Sequence, residues 1–148
     1  MNLGIIIQAR LGSTRLPGKI LLPFYGEQTI LDILLEKLHR VTELPVIVAT
    51  TNDPSDDRLV TFLKAQDELV FRGSENDVLD RFIQAAECYH LDGIIRICSD
   101  NPFLDPEGIQ TLIEKAQTSE AHYIGFRING LPSIKTPFGF WGEYATLE

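Results

Sequence analysis

Short apolar runs, rich in β-branched residues, alternate along this sequence with longer stretches whose apolar residues recur at helical spacing. That alternation constrains the fold most. Residues 3–8, 45–50, 68–71 and 93–98 have strand length, and 122–127 supplies a fifth run. Between them, Thr29 to Asp32 reads as a cap and first turn of a helix reaching about Arg40, with Ile30, Leu31, Leu34, Leu35 and Leu38 on one face. Asn52 to Ser55 opens a helix through about Ala65. A helix from about Asn76 to Tyr89 is expected to bury Val78, Leu79, Phe82, Ile83 and Ala86, leaving Asp77, Asp80, Arg81, Gln84 and Glu87 in solvent. Asp105-Pro106 caps a helix to about Gln117. Strand, helix, strand, repeated, predicts a three-layer α/β fold: a mainly parallel sheet with helices on both faces. Continuous apolar runs suit strands buried on two sides. Ligands of such sheets bind beyond the carboxyl ends of the strands, which places residues 8–19, 50–53, 72–74 and 99–105 along one edge.

The first of these edges is chemically distinct. After Ile5-Ile6-Ile7 comes Gln8-Ala9-Arg10-Leu11-Gly12-Ser13-Thr14-Arg15-Leu16-Pro17-Gly18-Lys19. Residues 1–26 hold three cations and no acid, in a chain of net charge -8. Glycines let backbone approach a phosphate closely, and arginine forks grip its oxygens in pairs. The loop is therefore read as a polyphosphate seat, with Arg10, Arg15 and Lys19 neutralising developing charge. It is not a P-loop: five residues separate Gly12 from Gly18, and Ile20 stands where a hydroxyl would hold magnesium. A Gly-x-Gly-x-x-Gly fingerprint is absent.

The acidic balance, with pI near 4.8, argues against nucleic acid as a partner. At 148 residues the length suits one domain, read as spanning 1–148, with truncation at its C-terminal end left open. No apolar run reaches the roughly 18 residues of a membrane span and no signal peptide opens the chain, so a cytoplasmic protein without membrane contact is expected. Cys88 and Cys98 are read as buried free thiols.

Opposite the cations, Ser99-Asp100-Asn101-Pro102 follows the most apolar strand. A triphosphate brings Mg2+, which prefers one or two carboxylates plus phosphate oxygens and waters. Asp100 is the candidate ligand, with a turn cap as its structural alternative. Arg72 is placed to meet a base carbonyl or a phosphate. Ser74 either joins it or caps the next helix through Ser74-x-x-Asp77. His39, His90 and His122 lack ligand spacing, and no Gly-x-Ser-x-Gly elbow occurs, so covalent catalysis is not expected.

Three blocks, Ile7 to Lys19, Phe71 to Arg81 and Arg96 to Pro106, resemble the cytidylyltransferase family. The nearest branch is the spore-coat polysaccharide biosynthesis group, related to acylneuraminate and 3-deoxy-manno-octulosonate cytidylyltransferases. The likeness runs in order from about residue 3 onward. It implies a nucleotide-diphospho-sugar transferase (GT-A-like) fold, and CTP as donor to a sugar or sugar acid for surface polysaccharide biosynthesis. By position it implies a nucleotide site of Gln8, Ala9, Arg10, Gly12, Ser13, Arg15, Lys19, Arg72 and Ser74. Magnesium falls to Asp100, and the acceptor to Asn101, Pro137 and Glu143. It also implies a homodimer. The sequence departs at Trp141, where the family commonly has Asp. Two other readings share the residues: a glycosyltransferase of the same fold, which would want an Asp-x-Asp where Ser99-Asp100-Asn101 stands, and a non-catalytic nucleotide-binding domain.

Overall fold

The computed structural model describes residues 1–13, 15–136 and 139–147. In chain order the elements are β1 (Leu3–Gln8), β2 (Pro23–Tyr25), β3 (Gln28–Thr29), α1 (Ile30–Val41), β4 (Val46–Thr51), α2 (Asp57–Lys64), β5 (Leu69–Gly73), α3 (Val78–Cys88), β6 (Gly93–Cys98), α4 (Pro106–Thr118), β7 (Tyr123–Ile124), β8 (Arg127–Ile128), β9 (Leu131–Pro132) and β10 (Glu143–Thr146). Among the described residues the main sheet has the order β5-β4-β1-β6-β10-β7. Strands β5, β4, β1 and β6 are mutually parallel, and β10 runs antiparallel between β6 and β7. The fold is the α/β sandwich expected.

Side-chain alternation in β1 sets the layers. Ile5 and Ile7 join Leu31, Leu34, Leu38, Leu59, Leu63, Ile109 and Leu112, from α1, α2 and α4. Ile6 points the other way, to Phe82, Ala85 and Ala86 of α3. Burial on both faces is what a run of consecutive isoleucines requires.

Local signals fix the helix starts. Thr29 and Asp32 form a capping box: Asp32 N donates to Thr29 Oγ1 at 3.0 Å, and Thr29 N donates to Asp32 Oδ2 at 2.8 Å. Asp105 caps α4 by accepting from Glu107 N. No helix among the described residues is long and apolar enough to cross a membrane.

Several expectations are corrected. Helix α3 starts at Val78, capped by Asp77. Its inward line is Phe82, Ala85 and Ala86, whose small alanines admit close approach to the sheet, together with Arg81, which is 0% exposed. Leu79, at 70%, and Ile83 fall on the solvent side instead. Hydrophobicity alone assigned the wrong rotation. Residues 122–127 do not form one strand; β7 and β8 are separate pieces. The tail contributes β10. Tyr144 of that strand is 1% exposed and fits because Gly93 on β6 has no side chain; a Cβ there would lie 2.9 Å from the Tyr144 ring. Cys88 and Cys98 are free as expected but exposed rather than buried.

Candidate active site

Leu11, Gly12 and Ser13 leave β1 at its carboxyl end and are pinned from below. Asp56, 1% exposed, accepts from Leu11 N at 2.7 Å and from the Thr51 amide and hydroxyl. Gly18 folds the loop back, with φ of 68°, a left-handed conformation that suits glycine, and its N–H returns to Leu11 O at 2.9 Å. Ser13 Oγ accepts from Leu16 N. Alongside, Ser99 N donates to Gln8 O at 3.2 Å, which carries the β1–β6 pairing one residue further and brings Asp100 level with the loop. Lys37 of α1 fastens the stretch after Asp100 by donating to the carbonyls of Pro102 and Leu104.

The result is a cleft of about 400 Å³ lined by Gln8, Arg10, Gly12, Ser13, Arg15, Lys19, Ile20, Arg96, Cys98, Ser99 and Asp100. Among those lining side chains, four are cationic and one is acidic. In a protein of net charge -8, that concentrates positive potential in one hollow. Lys19 Nζ lies 2.6 Å from Asp100 Oδ2. The carboxylate is half exposed, so the pair contributes little to stability, and both groups are available to a ligand.

A second hollow, of about 510 Å³, adjoins the first. Its lining includes Asn101, Phe103, Ile134, Phe140, Trp141 and Glu143, and it shares Arg96, Cys98 and Asp100 with the cleft. Arg96 Nη1 donates to Glu143 Oε2 at 3.0 Å, and its guanidinium lies 5.9 Å from the centre of the Phe82 ring. Tyr123 donates to Glu143 Oε1 at 2.7 Å, and this hydrogen bond leads in pushing the phenol pKa up to about 12. Trp141 is held by Asp105, which accepts from its Nε1 at 3.1 Å, and stacks on Phe126 at 5.2 Å. Aromatic faces beside fixed polar groups suit a sugar ring.

The structure therefore gathers Gln8, Arg10, Gly12, Ser13, Arg15, Lys19 and Asp100 in one cleft, and Asn101 and Glu143 in its neighbour. Three residues expected at the nucleotide, Ala9, Arg72 and Ser74, do not line this cleft, and their side chains are engaged within the protein. Ala9 is 1% exposed, with its side chain in the core. Arg72 spends its donors on Thr51 O, Asp57 Oδ1 and Asp53 O, bracing the turn after β4. Ser74 Oγ accepts from Asp77 N, the capping alternative. Pro137 lies outside the described residues. Arg96 was missed, although an arginine inside the apolar run Ile94-Ile95-Arg96-Ile97 was a visible signal.

Asp100 offers one accessible carboxylate, and no group of three or more His, Cys, Asp or Glu that could hold an ion occurs among the described residues. That donor set fits magnesium, which completes its shell with phosphate oxygens and water, better than an ion needing an all-protein cage.

A family model described as Cytidylyltransferase matches residues 4–136. The chain is 40% identical to the spore coat polysaccharide biosynthesis protein SpsF of Bacillus subtilis (strain 168), in an alignment covering 93% of this chain and 56% of that protein. A solved cytidylyltransferase from Leptospira borgpetersenii serovar Hardjo-bovis is similar over 99% of this chain and 61% of its own, with a TM-score of 0.85 and 36% identity. A CMP:2-keto-3-deoxy-manno-octonic acid synthetase solved with CTP is similar over 83% of this chain and 51% of its own, with a TM-score of 0.71 and 25% identity. The chain thus spans little more than half the length of these proteins.

Proposed function

Since this chain belongs to the cytidylyltransferase family, we propose that it seats CTP in the cationic cleft and a sugar or sugar-acid acceptor in the adjoining hollow, for cytidylyl transfer in surface polysaccharide biosynthesis. An acceptor hydroxyl, the anomeric one, attacks the α-phosphorus in line. The bond between the α-phosphorus and the bridging oxygen breaks, pyrophosphate leaves with the electron pair, and the hydroxyl proton passes to solvent. The product is a CMP-sugar.

The observation that carries this reading is the convergence of Arg10, Arg15, Lys19 and Asp100 on one cleft at the carboxyl ends of β1 and β6. The two guanidinium forks bind and orient the phosphates. Lys19 turns from Asp100 to the phosphate oxygens as the nucleotide enters, and offsets charge that builds during transfer. Asp100, with Gln8 and Ser99 beside it, would hold the divalent ion. That ion, magnesium, polarises the α-phosphate when bound. Phe140 and Trp141 present ring surface to the acceptor, while Asn101 and Glu143 offer polar groups. A nucleotide-sugar-consuming glycosyltransferase is favoured by no feature of the site, where Asp100 stands without a second acid two residues away.

Pyrophosphate release from CTP, with magnesium and a panel of sugars and sugar acids, tests the assignment. Lys19→Ala and Asp100→Asn are expected to lower the rate by about 10²- to 10³-fold, the scale of a lost transition-state contact. Unchanged rates in both variants would remove the cleft from the reaction.

A further inference from the structure

The site described so far leaves one buried cation unused. Arg81 on α3 is 0% exposed and is among the largest fully buried side chains of the protein. Its stem passes over Gly73, where an added Cβ would lie 2.9 Å from Arg81 Cγ, so the glycine makes room for it. Nη1 donates to Ser74 O at 2.6 Å. Nε and Nη2 are buried and have no hydrogen-bond partner in the protein. Burial and the charge of Arg10 both push the Arg81 pKa below its ordinary value, and Asp56 pulls it back up. Asp56 already serves Leu11 and Thr51. Arg10, which repels Arg81, lines the phosphate cleft.

A buried guanidinium with two idle donors is costly, and the cost is removed when an acceptor arrives. Nothing in the packing of α3 demands such a residue: Phe82, Ala85 and Ala86 already supply its apolar contact. The placement of a cation between Ser74 at the end of β5 and Arg10 at the end of β1 makes sense if a ligand oxygen completes it.

We propose that Arg81 is a nucleotide-binding residue, whose Nε and Nη2 are held in reserve for an acceptor oxygen that the nucleotide brings. A phosphate oxygen and the pyrimidine carbonyl share this chemistry. The inference rests on the CTP reading above. Arg72, the arginine that sequence pattern offers for the same task, braces the β4 turn instead, and Arg81 takes its place.

Calorimetric titration of the 148-residue chain with CTP and magnesium, for wild type, Arg81→Met and Arg81→Lys, tests it, beside urea unfolding of each variant. Arg81→Met is expected to bind CTP roughly 10- to 100-fold more weakly, the range for a lost hydrogen bond to a charged group. Its unfolding midpoint stays level or rises, because the methionine fills the space without unmatched donors. Unchanged affinity in a folded Arg81→Met variant would overturn the proposal, as would a midpoint that falls in step with affinity. Where Arg81→Met does not fold, the Arg81 Nε–H resonance of the wild type, identified by its loss in Arg81→Lys, decides: it shifts on adding CTP, or the proposal fails. Inorganic triphosphate and cytidine, run separately, say which oxygen is met. A defect with triphosphate points to phosphate, and one confined to cytidine and CTP points to the base. Failure of the wild type to bind CTP would sink the nucleotide reading and this inference together. Binding by the wild type with no effect at Arg81 would sink this inference alone.

Discussion

Replacing Asp56 by alanine should unfasten the cationic loop and weaken the fold together. The carboxylate lies in the interior and takes three donors: Leu11 N at 2.7 Å, Thr51 N at 3.3 Å and the Thr51 hydroxyl. The Leu11 and hydroxyl contacts are charge-assisted, each worth about 1.5–3 kcal/mol, and removing the acceptor strands the donors out of water. The long Thr51 N contact adds little. Allowing for non-additivity among bonds to one group, the loss should be about 3–5 kcal/mol, a large share of the roughly 5–15 kcal/mol that holds such a domain together. Asp56→Asn keeps the size and one acceptor oxygen but turns an amide donor toward a donor, so about half that loss is expected. Urea unfolding measures both, with the slope unchanged and the midpoint shifted. Hydrogen exchange at the Leu11 amide should quicken in parallel. A loss below about 1 kcal/mol in Asp56→Ala would show that water or neighbouring groups replace the carboxylate, and that the loop does not depend on it.

Two further perturbations probe other joints. Gly93→Ala sets a methyl 2.9 Å from the Tyr144 ring; overpacking of this kind costs roughly 1–3 kcal/mol, a fall in Tm of roughly 3–10 °C for a chain of this length, and an unchanged melt would mean β10 yields freely. Tyr123 should form its phenolate near pH 12 rather than near its ordinary value of 10.0, because its hydroxyl donates a hydrogen bond to the Glu143 carboxylate. The folded pKa is raised, so the stabilisation is complete below pH 10 and is lost as pH climbs from 10 through 12. A tyrosinate absorbance titration of wild type against Glu143→Gln reads this, and coincident curves would contradict the assigned hydrogen bond.

Much of the frame was legible because its causes are local. Runs such as Ile5-Ile6-Ile7 and Val46-Ile47-Val48 can hardly be anything but strands buried on two faces. Thr29 and Asp105 announce helix starts through side-chain chemistry that acts within three residues. The cationic loop was visible as a break in charge balance, and the sheet brought Asp100 to it by the plain register of β1 with β6. What escaped depends on contacts far apart in sequence. The rotation of α3 is set by how closely Ala85 and Ala86 approach the sheet, and an arginine at an inward position looks like a surface residue until its surroundings are known. The engagement of Arg72 is decided by the turn after β4, about twenty residues away in sequence. Strand β10 is short and follows a glycine-rich stretch; it exists because β6 and β7 leave a gap that Tyr144 fills. The hairpin of β2 and β3, three and two residues long, carries too little pattern to register.

Arg96, Cys98 and Asp100 form a party wall between two hollows. An occupant of one that draws Arg96 from Glu143, or Asp100 from Lys19, alters the surface its neighbour meets. Thermodynamic linkage makes such an influence mutual: whatever factor an occupant of one hollow imposes on affinity for the other, the second occupant imposes on the first. Under the cytidylyl transfer proposed above, two substrates meeting at one phosphorus atom would share the few side chains through which each can register the arrival of the other.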